Sequence, residues 1–330
     1  MADILADLAR SPVQYPAALD LARDSVLFVG MREADYRASS FLDERIAAQD
    51  KRGQWIGFAD VSRTLSKPVS VRPLHFIFHA GHVGSTFLSR LIDETGRVLP
   101  LREPVPLRTI AEAYDRGVPG IDCRLETLLR LWERGFDRTG AVVLKATSVA
   151  ERLAPELLAT RPAARAIMLN VSAESYLATM LAAANSAVDL NNHGPERLHR
   201  LLKSGVSAPR PTTLGELAAM SWLAEKVTQE KMRRDFGERV LAVDFDAMLQ
   251  SLEETLARVL VHLGIDGDPA AIASSPVVMR YSKSPEYGYS AAMRFELLNE
   301  ARTRYPSEIR AALDWLAAIA AGHESVAAVL

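Results

Sequence analysis

The stretch "HFIFHAGHVGSTFLSRLID" (75–93) places narrow limits on what this chain can fold into. A run of β-forming residues, His75 to His79, enters Gly81-His82-Val83-Gly84-Ser85-Thr86. Phe87, Leu88, Leu91 and Ile92 then recur at helical spacing. A strand that turns through glycines straight into a helix is the opening unit of an α/β sheet. Open sheets of this kind bind ligands at the carboxyl ends of their strands, and the free amides and dipole of a helix start attract anions. Gly81 and Gly84 let backbone approach such a ligand, and Ser85 and Thr86 add hydroxyls. The standard nucleotide phosphate loop needs Gly-Lys-Ser/Thr, whereas the residue before Ser85 is Gly84. That weakens a kinase or NTPase reading.

Four more apolar runs follow: "RVLPL" (97–101), "AVVLKA" (141–146), "RAIMLN" (165–170) and "RVLAVDF" (239–245). They lack strict alternation, as strands covered on both faces do. Helical patterns separate them, including "ERLAPELLAT", Ser172 to Ala184 and "TLGELAAMSWLAEKVTQEKMRRDFG". The expected fold is therefore α/β, a three-layer parallel sheet of about five strands with helical N- and C-terminal extensions. Residues 1–70 read as an extension packed on the core, 71–265 as the core, and 266–330 as a C-terminal loop and helices of the same domain. Within the extension, "SSFLDERI" reads as a helix start capped by Ser39 or Ser40, with Asp43 and Glu44 in support. Ser251 and Glu254 read as a capping box for a helix ending at Gly264. "DLNNHGPERLH" reads as a polar loop, and helices are expected near 291–302 and 307–321.

A net charge of −2 over 330 residues argues against a dedicated nucleic-acid binder. Cys123 stands alone, which excludes an intramolecular disulfide, fits a reducing compartment and reads as a small core residue. The N-terminus shows no signal-peptide core, and no run approaches the roughly 18–20 apolar residues of a membrane helix. The expectation is a cytoplasmic protein with no membrane span, free to form a homo-oligomer. His75, His79 and His82 do not converge as metal ligands from a strand-and-turn spacing, so no metal is expected.

The loop as a whole resembles the 5′-phosphosulfate loop of the sulfotransferase family, a P-loop-type family, in its divergent bacterial branch. That pattern is a basic residue, a small residue, Gly-Ser/Thr-Thr and an apolar helix. His82 and Val83 take the first two places, and Gly84, Ser85 and Thr86 match directly. The similarity extends loosely from His75 to Leu263, with "LAVDFDAMLQSLEETLARVLVHLGI" like the family's closing strand and helix. It implies 3′-phosphoadenosine-5′-phosphosulfate (PAPS) as donor, no metal, and a small-molecule, carbohydrate or peptide acceptor.

It also implies roles for residues at the strand ends. Glu103, after "LPLR", would be the base that takes the acceptor's proton, the alternative being a salt bridge to Arg102 or Arg108. Lys145 is a cation at the end of a core strand, where an anionic ligand or Glu103 would compensate it. His82, where the family carries a fixed charge, is read either as a protonated donor to the bridging oxygen or as a partner of the loop backbone. After the fourth strand, the family's Arg-Asp-Pro is replaced by "LNVSAESYLATML", which leaves Asn170, Ser172 and Thr179 as uncharged donor-binding candidates. A late basic loop, "MRYSKSPEYGYSAAMR", offers Arg280, Lys283 and Arg294, set among Tyr281, Tyr287 and Tyr289, to the nucleotide, or else is a surface loop with its tyrosines packed on the core. Two other readings stay open: a phosphotransferase with Asp244 or Asp246 on a metal, and a binding protein without catalysis.

Overall fold

A computed structural model describes residues 2–47, 53–66, 71–183, 185–284 and 286–330. Its strands form two sheets. β1 (Gln14–Asp20), β2 (Ser25–Gly30) and β3 (Gly53–Gly57) make an antiparallel meander in the order β1-β2-β3. β4 (Leu74–His79), β5 (Val98–Arg102), β6 (Ala141–Lys145), β7 (Ala166–Asn170) and β8 (Val240–Asp244) make a parallel sheet ordered β5-β6-β4-β7-β8. These five are the strands expected from the apolar runs.

The first four of those strands are buried along their whole length, which is why they read as unbroken apolar runs. Successive side chains divide between two cores. Ile77, Val143, Ile167 and Leu169 face one, with the helix Ser85–Asp93. Phe76, Phe78, Val142, Leu144 and Met168 face the other, with the helices Val105–Asp115 and Ile121–Trp132. β8 is an edge strand, with Ala242 and Asp244 exposed. The chain leaves β4 toward the first core and leaves β6 toward the second, through the turn Ser148–Leu153 and the helix Ala154–Thr160. Neighbouring strands that exit to opposite faces open a crevice at their carboxyl ends.

The N-terminal residues carry short helices and, beyond the sequence reading, the three-strand meander. Tyr15, Val26, Phe28 and Ile56 share a core with Leu99, Leu101 and Leu107. Arg102, fully buried at the end of β5, fastens this region to the sheet. Its guanidinium donates to the carbonyls of Tyr36, Arg37 and Ser39, to Ser89 Oγ and to Asp93 Oδ2.

Several local expectations are corrected. Ser39 ends the helix Glu33–Ala38, and its hydroxyl donates to Asp35 O at 2.7 Å. Ser40 Oγ accepts from Arg90 at 2.7 Å, so neither serine caps the next helix; Asp43 Oδ1 accepts the Arg45 amide instead. Ser251 holds the N-cap place of the helix Leu252–Leu263 without a side-chain cap, because the chain enters it directly from the helix Phe245–Gln250. Gly264, at φ 64°, does end that helix. "DLNNHGPERLH" is not a loop but part of the helix Ser186–Lys203, with Pro195 inside it. Packing against the helix Leu214–Phe236 overrides the turn-forming residues: Gly194 abuts Leu217, and Arg197 and Arg200 pair with buried Glu225 at 3.0 and 2.8 Å. Cys123 is exposed rather than core, because Ile121, Leu125, Leu128 and Trp132 form the buried face of its helix. No helix among the described residues is long and apolar enough to cross a membrane.

Candidate active site

A cleft of about 450 Å³ opens at the carboxyl end of β4, in the range used for small-molecule ligands. The loop after β4 forms its floor. Gly81 and Gly84 have φ of 92° and 76°, and His82 between them takes 55°, an uncommon value for a residue with a Cβ. Gly84 is the N-cap of the helix Ser85–Asp93. A Cβ there would lie 2.2–2.5 Å from the Phe245 ring, so close packing as well as φ requires glycine. Thr86 is 2% exposed, and its Oγ1 has no hydrogen-bond partner among the described residues. A buried hydroxyl left unpaired costs about 1–3 kcal/mol.

His79, the last residue of β4, fixes the loop from beneath. Its Nδ1 accepts the Gly81 amide at 3.1 Å, which puts the ring proton on Nε2, 2.8 Å from Ala146 O. Burial, with Lys145 adding, holds this imidazole well below its ordinary pKa, so it is neutral. His75, at the other end of the strand, accepts the Arg165 amide at 3.2 Å. No group of three or more His, Cys, Asp or Glu residues that could hold a metal occurs among the described residues.

Glu103 and Lys145 bring the ends of β5 and β6 together. Lys145 lies in register with Ile77 of β4 and Arg102 of β5, and is completely buried. Its ammonium is ion-paired with Glu103 Oε1 and lies 5.3 Å from the centre of the Phe41 ring. Glu103 takes φ 57°, while its amide donates to Lys145 O at 2.7 Å. A carboxylate held in a left-handed conformation at the mouth of a cleft is a strained feature of the kind that collects at functional sites. Glu103 thus pairs with Lys145, not with Arg102, whose donors go to N-terminal carbonyls and to Ser89 and Asp93 of the helix after β4.

Charge in the cleft differs from the expectation at one place. Burial pushes the His82 imidazole below its ordinary pKa, Lys283 pushes it further, and Asp189 and Glu103 oppose. Its solvent-facing position screens part of that shift, but the direction leaves a neutral ring at pH 7 in the unliganded protein. Burial likewise lowers Lys283, with Glu103 opposing and Arg45 adding.

The structure gathers His82, Val83, Gly84, Ser85, Thr86, Glu103, Thr179 and Lys283 around one cleft. Lys145 stands behind Glu103, and Gly81 shapes the loop. Two other candidates are engaged elsewhere, and a third lies outside the cleft. Asn170 donates to Gln229 at 3.1 Å and accepts the Val171 amide at 2.8 Å. Ser172 caps the helix Ala173–Ala182 by accepting the Ser175 amide. Arg280 is exposed and outside the cleft wall. Thr179 itself donates to Ser175 O at 2.7 Å.

Arg294 and Tyr289 of the basic tail segment line the same cleft, and so do Phe87 and Phe245, which the sequence reading did not assign to the site. Phe87 lies 6.1 Å from Phe245 and 5.7 Å from Tyr289, ring centre to ring centre, and the Arg294 guanidinium lies 4.7 Å from the centre of Phe245. An aromatic wall with a cation at its edge can hold a planar, charged ligand. The cluster of tyrosines and arginines in the tail was the signal for its Tyr289 and Arg294.

No protein-family model matches the chain, and no curated protein matches it. Among solved structures, the chain is similar to several sulfotransferases. A mouse sulfotransferase complexed with PAP shares 13% identity, covering 82% of this chain and 92% of that one, with a TM-score of 0.43. A sulfotransferase from Mycobacterium avium shares 14%, covering 92% and 89%, with a TM-score of 0.39. The sulfotransferase domain from the curacin biosynthetic pathway shares 12%, covering 75% and 98%, with a TM-score of 0.40.

Proposed function

We propose that the protein is a sulfotransferase that moves a sulfuryl group from PAPS to a hydroxyl or amine of a small-molecule, sugar or peptide acceptor. The observation that carries this reading is the unpaired, buried Thr86 hydroxyl in the first turn of a helix, beside left-handed Gly84, in a cleft shared with Glu103. A tetrahedral oxyanion at the helix start would give that hydroxyl a partner, after a small movement of the residues that cover it, and would meet the helix dipole.

PAPS, when bound, supplies an activated sulfuryl group and a phosphate leaving group. The loop amides, with Ser85 and Thr86, would hold the phosphosulfate end and balance the charge that develops on the leaving phosphate. Lys283 brings a cation to the same wall, in place of the lysine the loop lacks. Glu103, held in place by its ion pair with Lys145, would take the proton as the acceptor's oxygen or nitrogen bonds to sulfur. Neutral His82 would serve as a hydrogen-bond donor, and an anion beside it would draw its pKa upward.

A phosphotransferase would call on Asp244 and Asp246 for a metal. Asp244 Oδ1 instead caps a helix by accepting the Ala247 amide at 2.8 Å, and Asp246 holds Arg294 at 2.7 Å. The test is calorimetry with adenosine 3′,5′-bisphosphate, ATP and GTP, each in EDTA and in magnesium. The expected result is binding of the bisphosphate in EDTA. Failure to bind it, together with magnesium-dependent binding of ATP or GTP, would overturn the reading in favour of phosphoryl transfer.

A further inference from the structure

A lysine inside a phosphate loop is placed by the loop's own backbone. Lys283 has no such support: it is a flexible stem on a turn outside the sheet, and holding it in one place costs conformational entropy. Its ammonium serves the cleft only where that turn is fixed. Residues 281–288 bond largely among themselves. The Tyr281 amide donates to Tyr287 O at 2.8 Å, the Ser284 amide to Tyr281 O at 3.1 Å and the Tyr287 amide to Ser284 O at 3.0 Å. Among the described residues, their hydrogen bonds to chain outside this segment meet at one atom, Ser282 O, the carbonyl next to Lys283. Arg90 Nε, 192 positions earlier, donates to it at 2.7 Å, and Ser40 Oγ donates to it at 3.4 Å. Through Nη2 the same guanidinium donates to Ser40 Oγ at 2.7 Å and to Ala38 O at 3.4 Å.

Both sides of this clamp are held. Arg90 belongs to the helix Ser85–Asp93, which the anion loop opens. The chain at Ser39–Leu42 is fixed to the end of β5: Arg102 Nη1 donates to Ser39 O at 2.8 Å, and the Leu42 amide donates to Arg102 O at 2.6 Å. Phe41, between them, faces the Lys145 ammonium. One N-terminal segment thus touches both the ion pair of the proposed base and the turn that carries Lys283. We propose that Arg90, bridged to Ser40, is a positioning residue for Lys283: it ties the turn at Ser282 to the helix of the anion loop, so that loop and cation keep one spacing. This rests on the donor-site reading above and gives the N-terminal extension a part in the site. Arginine suits the place because its planar fork serves Ser282 O and Ser40 Oγ at once, which a lysine ammonium does not hold in one geometry.

The experiment is a double-mutant cycle on the full chain, Arg90→Gln and Lys283→Gln singly and together, read by calorimetry with adenosine 3′,5′-bisphosphate in EDTA. Lys283→Gln is expected to weaken binding about tenfold, the worth of one charge-assisted contact. Arg90→Gln should weaken it about three- to tenfold when Lys283 is present and less than about twofold when it is absent, because residues that act as one unit are not additive. Arg90→Lys keeps the charge, loses the fork and should fall near Arg90→Gln; wild-type affinity in Arg90→Lys would assign the effect to charge and overturn the positioning role. Equal losses from Arg90→Gln with and without Lys283 would overturn it too, as would no loss at all. Where Arg90→Gln does not fold, Ser40→Ala carries the same cycle, with a loss of about twofold that vanishes without Lys283. An affinity untouched by Lys283→Gln would overturn the proposal and leave the loop's role standing. No binding by the wild type would take down the donor-site reading with it.

Discussion

Lys145 and Glu103 join the carboxyl ends of two adjacent parallel strands by an ion pair in which the lysine has no solvent exposure and the glutamate faces the cleft. A fully buried ammonium is stable only with its partner in place, so the pair fixes the position of the proposed base.

Replacing the glutamate exposes that dependence. Glu103→Gln leaves Lys145 buried and unpaired, and is expected to cost about 2–4 kcal/mol at neutral pH, somewhat under the range for a wholly buried pair. Burial already lowers the folded-state pKa of Lys145, and Glu103 opposes this; without it the value falls further. The unfolded chain then holds the lysine proton over a wider pH window than the folded one, so stability rises with pH in that window. The variant's deficit should therefore shrink as pH climbs toward about 10. Urea unfolding from pH 7 to 10 checks this, and a deficit that stays constant with pH would contradict it.

Gly84→Ala should disable the loop. The left-handed φ costs about 1 kcal/mol for alanine, and the added Cβ collides with the Phe245 ring. The expected outcome is a loss of about 2–3 kcal/mol in stability and an affinity for adenosine 3′,5′-bisphosphate reduced at least about tenfold. Thermal melts and calorimetry on the same preparation separate the two effects.

Acid should weaken the fold through His75, far from the ligand. Burial chiefly, with Arg165 and His262 adding, lowers this histidine to about 4. The unfolded chain, with a value near 6.5, binds a proton in the interval that the folded protein does not. Stability therefore falls as pH drops from about 6.5 to 4, by up to about 1.4 kcal/mol per pH unit from this residue. His75→Asn, which keeps an acceptor for the Arg165 amide, should flatten the slope of unfolding free energy against pH by up to one proton. An unchanged slope would show that His75 is protonated in the folded state.

The parallel sheet was readable because its signals are local. Five short apolar runs without strict alternation suffice to mark the strands, four of them buried along their whole length, and the loop after His79 carries its own turn chemistry. The meander was not readable. β1 contains Pro16 and a register shift between Pro16 and Ala18, and its pattern follows no single period. Asn-Asn-His-Gly-Pro around Pro195 signalled a loop, and only the partner helix with Glu225 makes it helical. At the site, the residues next to strand ends and the basic tail segment were legible, whereas the pairing that orients Arg294, with Asp246 48 positions away, was not. Asn170 and Ser172 look like free donors in the sequence; the hydrogen bonds that occupy them appear only once Gln229 and the Ser175 amide are placed.

The central claim, that the loop 81–86 encloses a tetrahedral oxyanion, is tested most directly by amide resonances of a ¹⁵N-labelled sample titrated with adenosine 3′,5′-bisphosphate in EDTA. The account predicts saturable shifts at Val83, Gly84, Ser85 and Thr86, and an affinity weakened roughly 5- to 10-fold in Thr86→Val, the worth of one hydrogen bond. Unmoved resonances at these four amides, with shifts elsewhere or none, would contradict it.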